Sequence, residues 1–354
     1  MWWEIQRMKC TSNNTQEKPI SLLNVHPRII SAFHKAGLHK LTSVLTLSAG
    51  DLRRRTGLSR LDVQGALEAA SKAAFPQYAV DTTVLKMYEN KDSKAPVHLS
   101  TGCPRLNSFL GGGLLVSALN EVAGTSAAGK TQFCLQLCLT VQLPRDQGGL
   151  DGGAVYVCTE DAFPHKRLQQ MVEAFAKKSG RAPLEISDKI FVEHAVTISS
   201  LSVQLQYKLP SLLTQHNIKL VVVDSMAALF RVEFSEAQSP QRAQLLRAFG
   251  AQLKKLSNEF SAALVCVNQV TAAIDEECVG GVKPALGLAW AEQVTVRLMM
   301  TRSEGVGDET ELQQNATLVL RDMEVLFAPH LPKVTTQYFI DKTGVHGDEH
   351  ITSP

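Results

Sequence analysis

The sequence predicts an α/β protein, with a mostly parallel sheet flanked by helices and a small all-helical domain ahead of it. Three observations predict this class. From residue 99 to about 345, apolar strand-like runs alternate with amphipathic helical runs, the pattern of a parallel sheet covered on both faces. One such strand is followed at once by Gly124-Thr125-Ser126-Ala127-Ala128-Gly129-Lys130-Thr131 and then by a helical run over 132–142. Residues 21–75 are short apolar-periodic segments separated by breakers.

Length and charge agree with that division. At 354 residues the chain has room for about two domains. Lys and Arg number 36 against 34 Asp and Glu, a net charge of +2. That balance excludes a histone-like basic protein and an acidic tail protein. The 44% apolar content is enough for a sizeable core. No window approaches 18 consecutive apolar residues, so no membrane span is expected. The start, Met1-Trp2-Trp3-Glu4-Ile5-Gln6-Arg7, has no apolar stretch of the secretory kind. Seven cysteines, an odd number, point to a reducing compartment. Cys134 and Cys138 lie four apart on the expected helix, close enough to share a metal, but no neighbouring His or Cys completes a tetrahedral set. They read as small buried apolar residues.

Along the chain, 1–20 read as a disordered leader, 21–75 as a helical domain of the helix-hairpin-helix kind, and 76–98 as a linker. The core follows over 99–348, with a tail at 349–354. Within the linker, 82–88 could form a short strand or helix that docks on a neighbour. In the helical domain Pro27 marks a helix start and Ser59 is a candidate N-cap. Its eight Lys and Arg face only Asp51, Asp62 and Glu68, a local excess of five positive charges. The Arg53-Arg54-Arg55 run stands before the break Thr56-Gly57-Leu58-Ser59. Such a turn can hold a DNA phosphate on its backbone N–H groups; a solvated helix face or a protein-docking surface fits the same residues.

The glycine-rich run matches G-x-x-x-x-G-K-[ST] in full. Gly124 and Gly129 are expected to permit a sharp turn that aims N–H groups at a β-phosphate. Lys130 would reach the β- and γ-oxygens, and Thr131 would offer its hydroxyl to Mg²⁺. Together 124–131 form the expected ATP-binding loop. The apolar run Leu220-Val221-Val222-Val223 ends at Asp224, a second ligand-side group for Mg²⁺ acting through water. Another strand, Ala154-Val155-Tyr156-Val157-Cys158-Thr159, ends at Glu160. Glu160 can orient or deprotonate an attacking water; the other reading is a helix cap shared among Thr159, Glu160 and Asp161. A fourth strand ends in Asn268-Gln269, amides able to sense a γ-phosphate. Glu160, Lys130 and Gln269 are therefore the candidate catalytic residues, and Thr131 and Asp224 the metal set.

These elements, in this order, resemble the RecA/RadA recombinase family. The resemblance adds Gly111-Gly112-Gly113-Leu114, Glu121-Val122-Ala123-Gly124, Ala285-Leu286-Gly287 and Val296-Arg297-Leu298. Asp161-Ala162-Phe163-Pro164-His165 and Ala328-Pro329-His330-Leu331-Pro332 resemble a vertebrate paralogue within it. The resemblance implies a RecA-like ATPase core and homologous-recombination repair of double-strand breaks and stalled or crosslinked forks. It also implies a nuclear, partly cytoplasmic, protein.

Departures qualify what the resemblance implies. Ala127 stands where strand-exchange members carry an adenine-stacking Arg. The first DNA loop, 230–241, lacks the Gly-Arg-Gly element, and the second, 271–286, carries Asp275, Glu276 and Glu277 against Lys283. Glu292 replaces a His that couples neighbouring subunits, and Phe327 an acid of the ATP cap. The linker lacks the F-x-x-A joint, since Phe75 is followed by Ala79. Basic residues after Glu160 (Lys166, Arg167, Lys177, Lys178, Arg181) read equally as DNA contacts or solvated helix faces. The expected activity is weak DNA-dependent ATP hydrolysis. The expected partners are another recombinase paralogue in a heterodimer, the main strand-exchange recombinase, and single-stranded and branched DNA. A nucleotide-dependent scaffold with negligible hydrolysis is the alternative.

Overall fold

The computed structural model describes residues 18–74, 97–160, 162–234, 238–272, 281–302 and 319–348. The leader to residue 17, the run 75–96 with its 82–88 segment and Phe75/Ala79, Asp161, 235–237, the acidic run 273–280 and the tail lie outside them. The chain divides into two compact units, Met1–Lys94 and Ala95–Pro354.

The first unit holds α1 (Pro27–Lys35), α2 (Leu41–Leu45), α3 (Ala49–Thr56) and α4 (Arg60–Ala74) after a 3₁₀ turn at Ile20–Leu22. Local chemistry sets these boundaries. Proline is tolerated at a helix's first position because its missing N–H would be unpaired there, and Pro27 opens α1. Ser48 and Ser59 cap the next long helices, accepting from Asp51 N and Asp62 N, each at 3.1 Å. Gly57 ends α3 at φ 68°, a left-handed conformation open to glycine at little cost. Ile20, Phe33, Leu41, Val44, Leu52 and Val63 bury together as the core. The turn keeps two of its own donors: Gly57 N bonds Arg53 O, and Leu58 N reaches Thr56 Oγ1 at 3.4 Å. Fewer N–H groups are therefore left for a phosphate than the sequence pattern suggests. Arg53, Arg54 and Arg55 are exposed.

The second unit runs β1 (His98–Leu99), α5 (Pro104–Phe109), β2 (Leu114–Leu115), β3 (Leu119–Gly124), α6 (Lys130–Thr140), β4 (Gly153–Cys158), α7 (His165–Ser179), α8 (Pro183–Asp188) and β5 (Ile190–His194). Then come α9 (Ile198–Val203), α10 (Leu209–Gln215), β6 (Ile218–Asp224), α11 (Met226–Val232), α12 (Ser239–Phe260), β7 (Ala263–Asn268), β8 (Val270–Ala272) and β9 (Val282–Pro284). It closes with α13 (Leu288–Ala291), β10 (Val296–Arg302), β11 (Arg321–Phe327), β12 (Thr335–Ile340) and β13 (Val345–Gly347). The main sheet has nine strands in the order β13-β12-β11-β10-β3-β7-β6-β4-β5. From β10 to β5 every pairing is parallel, whereas β11, β12 and β13 add an antiparallel edge.

Strand periodicity divides the core into two layers. On β4, Ala154, Tyr156 and Cys158 face one apolar cluster with α6 and α7, and Val155 and Val157 face the other with α10, α11 and α12. Alternate side chains of a strand point to opposite faces, so burial on both sides demands the continuous apolar runs seen in β4, β6 and β7.

Both expected DNA loops are shorter than the sequence suggests. Phe230 is buried within α11, and α12 already begins at Ser239. Within 271–286, Thr271 pairs with Lys283 and Ala272 with Val282 in the β8–β9 hairpin. Backbone pairing takes residues that polarity alone assigns to a loop. No helix among the described residues is long and apolar enough to cross a membrane.

Candidate functional site

The parallel register carries the candidate residues to one edge of the sheet. Ala123 lies beside Asn268, Val223 beside Cys266, and Cys158 beside Asp224. The phosphate loop, Glu160, Asp224 and Gln269 therefore leave the carboxyl ends of adjacent strands together, where ligands of open α/β sheets bind.

Within the loop, Gly124 and Gly129 are needed for different reasons. Gly129 has φ 103°, and a Cβ there would strike Ile340. Gly124 does not take positive φ; a Cβ there would strike the Met300 carbonyl of β10. Close approach of the neighbouring strand, rather than turn geometry, requires glycine at 124. Ala127 takes φ 60° and is exposed, with Ser126 beside it, while Ala128 is buried and its carbonyl accepts from Tyr338 Oη at 2.5 Å. Lys130 Nζ donates to the carbonyls of Gly124 and Thr125 at 2.8 and 2.7 Å. Burial lowers the Lys130 pKa, while Asp224 and Glu160 pull it back up.

Thr131 Oγ1 donates to Asp224 Oδ2 at 2.8 Å. These hard oxygen donors, on facing elements, suit Mg²⁺, which prefers one or two protein oxygens beside substrate phosphate. The buried Thr125 Oγ1 has no protein partner among the described residues, and it lies in a loop whose backbone already suits an anion. The residues thus fit a nucleoside triphosphate with its Mg²⁺. The metal would neutralise charge on the phosphate oxygens, held by Thr131 and by Asp224.

Glu160 is exposed and accepts from Gln269 Nε2 at 2.6 Å. It does not share a helix cap with Thr159. The Thr159 hydroxyl instead joins β4 to β6, donating to Ser225 O and accepting from Ser225 N. The two terminal amides of β7 part company: Asn268 is buried and donates to Glu121 Oε1 at 2.6 Å, so Gln269 alone reaches the site.

Several residues of the site escape sequence reasoning. Tyr156 Oη donates to Asp224 Oδ2 at 2.5 Å; its place two residues before the end of β4, on the face shared with α6, was the available signal. Arg231 holds Gln269 across 38 residues of chain, which leaves no local signature. Glu121 is fully buried among Asn268, Trp290 and Arg297. Its signal was a carboxylate inside an otherwise apolar strand.

Of the basic residues following Glu160, Arg167 binds Gln132 and the carbonyls of Asp341 and Lys342. It staples α6 to the β12–β13 turn. Cys134 and Cys138 are both buried, and no metal-binding cluster occurs among the described residues.

Glu292 and Phe327 lie elsewhere. With Leu288, Ala291, Val294 and Arg297 they line a pocket of about 330 Å³. Arg297 pairs with both Phe327 and Glu121 across the sheet, near the amino end of β3. The pocket is therefore at the opposite strand ends from this chain's own phosphate loop. Arg247 approaches Glu292 at 3.8 Å.

A strand, a glycine loop carrying Lys and Thr, and an acid ending a nearby parallel strand define a phosphate-loop nucleotide-binding protein. The family model described as Rad51 matches residues 92–348, and one described as XRCC3/RpoA-like, helix-hairpin-helix domain matches residues 20–74. The chain belongs to the Rad51 family. It is similar to DNA repair protein XRCC3 of Mus musculus, 41% identical over 342 residues, covering 92% of this chain and 97% of that one. Against DNA repair protein XRCC3 of Bos taurus, identity is 43% over 335 residues, covering 92% and 96%. DNA repair and recombination protein RadA of Aeropyrum pernix is 32% identical over 331 residues, covering 93% and 96%.

Proposed function

We propose that the chain is an ATP-binding recombinase paralogue of homologous-recombination repair, acting at double-strand breaks and at stalled or crosslinked forks in the nucleus. It forms a heteromer with another paralogue and assists assembly of the main recombinase on single-stranded DNA. One observation carries the nucleotide half of this proposal: Lys130, Thr131, Asp224, Glu160 and Gln269 meet at one sheet edge. In that arrangement Lys130 and the loop N–H groups would bind phosphate oxygens, and Thr131 and Asp224 would hold Mg²⁺. Glu160 accepts a proton from the attacking water as its oxygen bonds the γ-phosphorus and the bond from that phosphorus to the β–γ bridging oxygen breaks, giving ADP and phosphate.

The heteromer half rests on the Glu292–Phe327 pocket. It opens at the far strand ends, away from this chain's own phosphate loop, and in this proposal it is the face that meets a partner's nucleotide. Its apolar lining and Glu292 differ from the His and acid that strand-exchange members present, which suits a different partner from a second copy of this chain. Relatives named for DNA repair support the pathway.

A second reading, a scaffold with negligible hydrolysis, is favoured by the hydrogen bond that already engages Glu160. Phosphate release by the purified heteromer, with and without a single strand, separates the two. Wild-type release that disappears in both Lys130→Ala and Glu160→Gln supports ATP hydrolysis. Equal background in all three leaves the scaffold.

A further inference from the structure

The phosphate loop is held at two points by strands other than the one it leaves. At its start, Thr125 N donates to the carbonyl of Met300 on β10 at 3.2 Å. Near its end, the carbonyl of Ala128 accepts from Tyr338 Oη on β12 at 2.5 Å. This second contact spans 210 residues of chain and reaches the loop from the antiparallel edge of the sheet. Tyr338 is fully buried there, paired with Arg321 of β11 and Gly347 of β13. Burial raises its pKa above the ordinary phenol value, so the hydroxyl keeps its proton and stays a donor.

The shape of a peptide unit gives this contact a consequence. The C=O of Ala128 and the N–H of Gly129 belong to one planar group, and in a trans peptide such as this they point in opposite directions. Tyr338 stands on the buried side of the loop: Ala128 is buried, while Ser126 and Ala127 are exposed. Holding the carbonyl inward therefore turns the Gly129 N–H outward, to the side on which the loop opens.

Glycine makes that hold necessary. A glycine takes either sign of φ at similar cost, so the chain at Gly129, with φ 103°, does not itself decide which way the preceding plane faces. The reversed plane would aim an acceptor, the Ala128 carbonyl, at an anion. Lys130 does not hold this plane, since it bonds the carbonyls of Gly124 and Thr125. Ile340 shares a face of β12 with Tyr338, two residues on, and occupies the space a Cβ at 129 would need. One strand thus bars a side chain at 129 and fixes the carbonyl before it.

We infer that Tyr338 is a positioning residue for phosphate binding, setting the Ala128–Gly129 peptide so that the Gly129 N–H is presented to a β-phosphate. It acts through the loop backbone and touches no substrate itself. The inference rests on the proposed nucleotide site, and its test fails separately from that reading.

The test uses the full-length chain with Mg²⁺ and a fluorescent ADP analogue, displaced in turn by ADP, ATP and AMP. Wild type, Tyr338→Phe and Ile340→Val are compared. Tyr338→Phe keeps the ring in its packing and removes only the hydroxyl. AMP lacks the β-phosphate, so the ratio of ADP to AMP affinity isolates the contact. In Tyr338→Phe, affinity for ADP and for ATP should each fall by roughly two- to tenfold, the range of one net hydrogen bond. Affinity for AMP should not change. Ile340→Val, which loosens β12 against the loop but keeps the hydroxyl, should leave the ratio at its wild-type value. Mere structural loosening would lower all three affinities together. A Tyr338→Phe protein with the wild-type ADP-to-AMP ratio overturns the inference, whether or not its stability has fallen. So does an Ile340→Val protein with the same loss of ratio. A wild type that fails to bind ADP would instead overturn the proposed nucleotide site.

Discussion

The phenol of Tyr156 donates to Asp224 Oδ2, the same carboxylate oxygen that accepts from Thr131. Burial first, and then the Asp224 charge, raise the Tyr156 pKa well above its ordinary value, so the phenol stays a donor. Tyr156 is 1% exposed and packs edge-on against Phe163. It therefore fixes the position of Asp224, the carboxylate proposed to hold Mg²⁺.

Tyr156→Phe keeps the ring and removes only this bond. A hydrogen bond to a charged group contributes about 1.5–3 kcal/mol, so the Mg²⁺ concentration for half-maximal nucleotide binding should rise roughly ten- to a hundredfold. Nucleotide binding without Mg²⁺ should be unchanged. A magnesium titration of analogue fluorescence reads both; an unaltered Mg²⁺ requirement would count against the positioning role.

The buried Glu121–Arg297 pair predicts a stability effect remote from the loop. Arg297→Ala leaves Glu121 buried without its cation, although Asn268 and Trp290 still donate to it. Removing one partner of a buried pair costs about 3–5 kcal/mol. Denaturant unfolding should show a loss of that size in the unfolding free energy, with Arg297→Lys less affected. A change under about 1 kcal/mol, the range of solvent-exposed pairs, would show that the pair is solvated.

Thiol reactivity follows from burial. Burial raises the pKa of Cys134, Cys138 and Cys266, and pushes Cys158 up to about 11. At pH 8 only about one Cys158 in a thousand would be thiolate, and thiolate is the reactive form. Iodoacetamide followed by mass spectrometry should leave all four unlabelled in the native protein and label them after unfolding. Rapid native labelling of Cys134 or Cys138 would contradict the packing of α6.

Acid should loosen the helical domain through its caps. Ser48 and then Arg54 hold the Asp51 pKa below its ordinary value, and Ser59 and Arg28 do the same for Asp62. A depressed folded-state pKa contributes stability above the unfolded value that is lost as pH falls through the folded one. The loss therefore belongs below about pH 4. Hydrogen exchange of the full chain should show α3 and α4 losing protection in that range. Asp62→Asn should show weaker α4 protection already at pH 7.

Much of this protein is legible in its sequence because the physics involved is local. Apolar runs bounded by breakers mark β3, β4, β6 and β7. The spacing from Gly124 to Thr131 marks the phosphate loop, and Ser59 marks a cap three residues before the N–H it accepts. Each depends on residues within a few positions, where chain geometry alone sets the distances. Tertiary structure decided the rest, because side chains meet across separations that no local spacing encodes. It gave Asn268 to Glu121 and Gln269 to Glu160, although the two amides are neighbours in sequence. It made Gly124 necessary through Met300 of another strand. And it placed Arg231 against Gln269, so that an arginine unremarkable in its own helix stands two hydrogen bonds from Glu160.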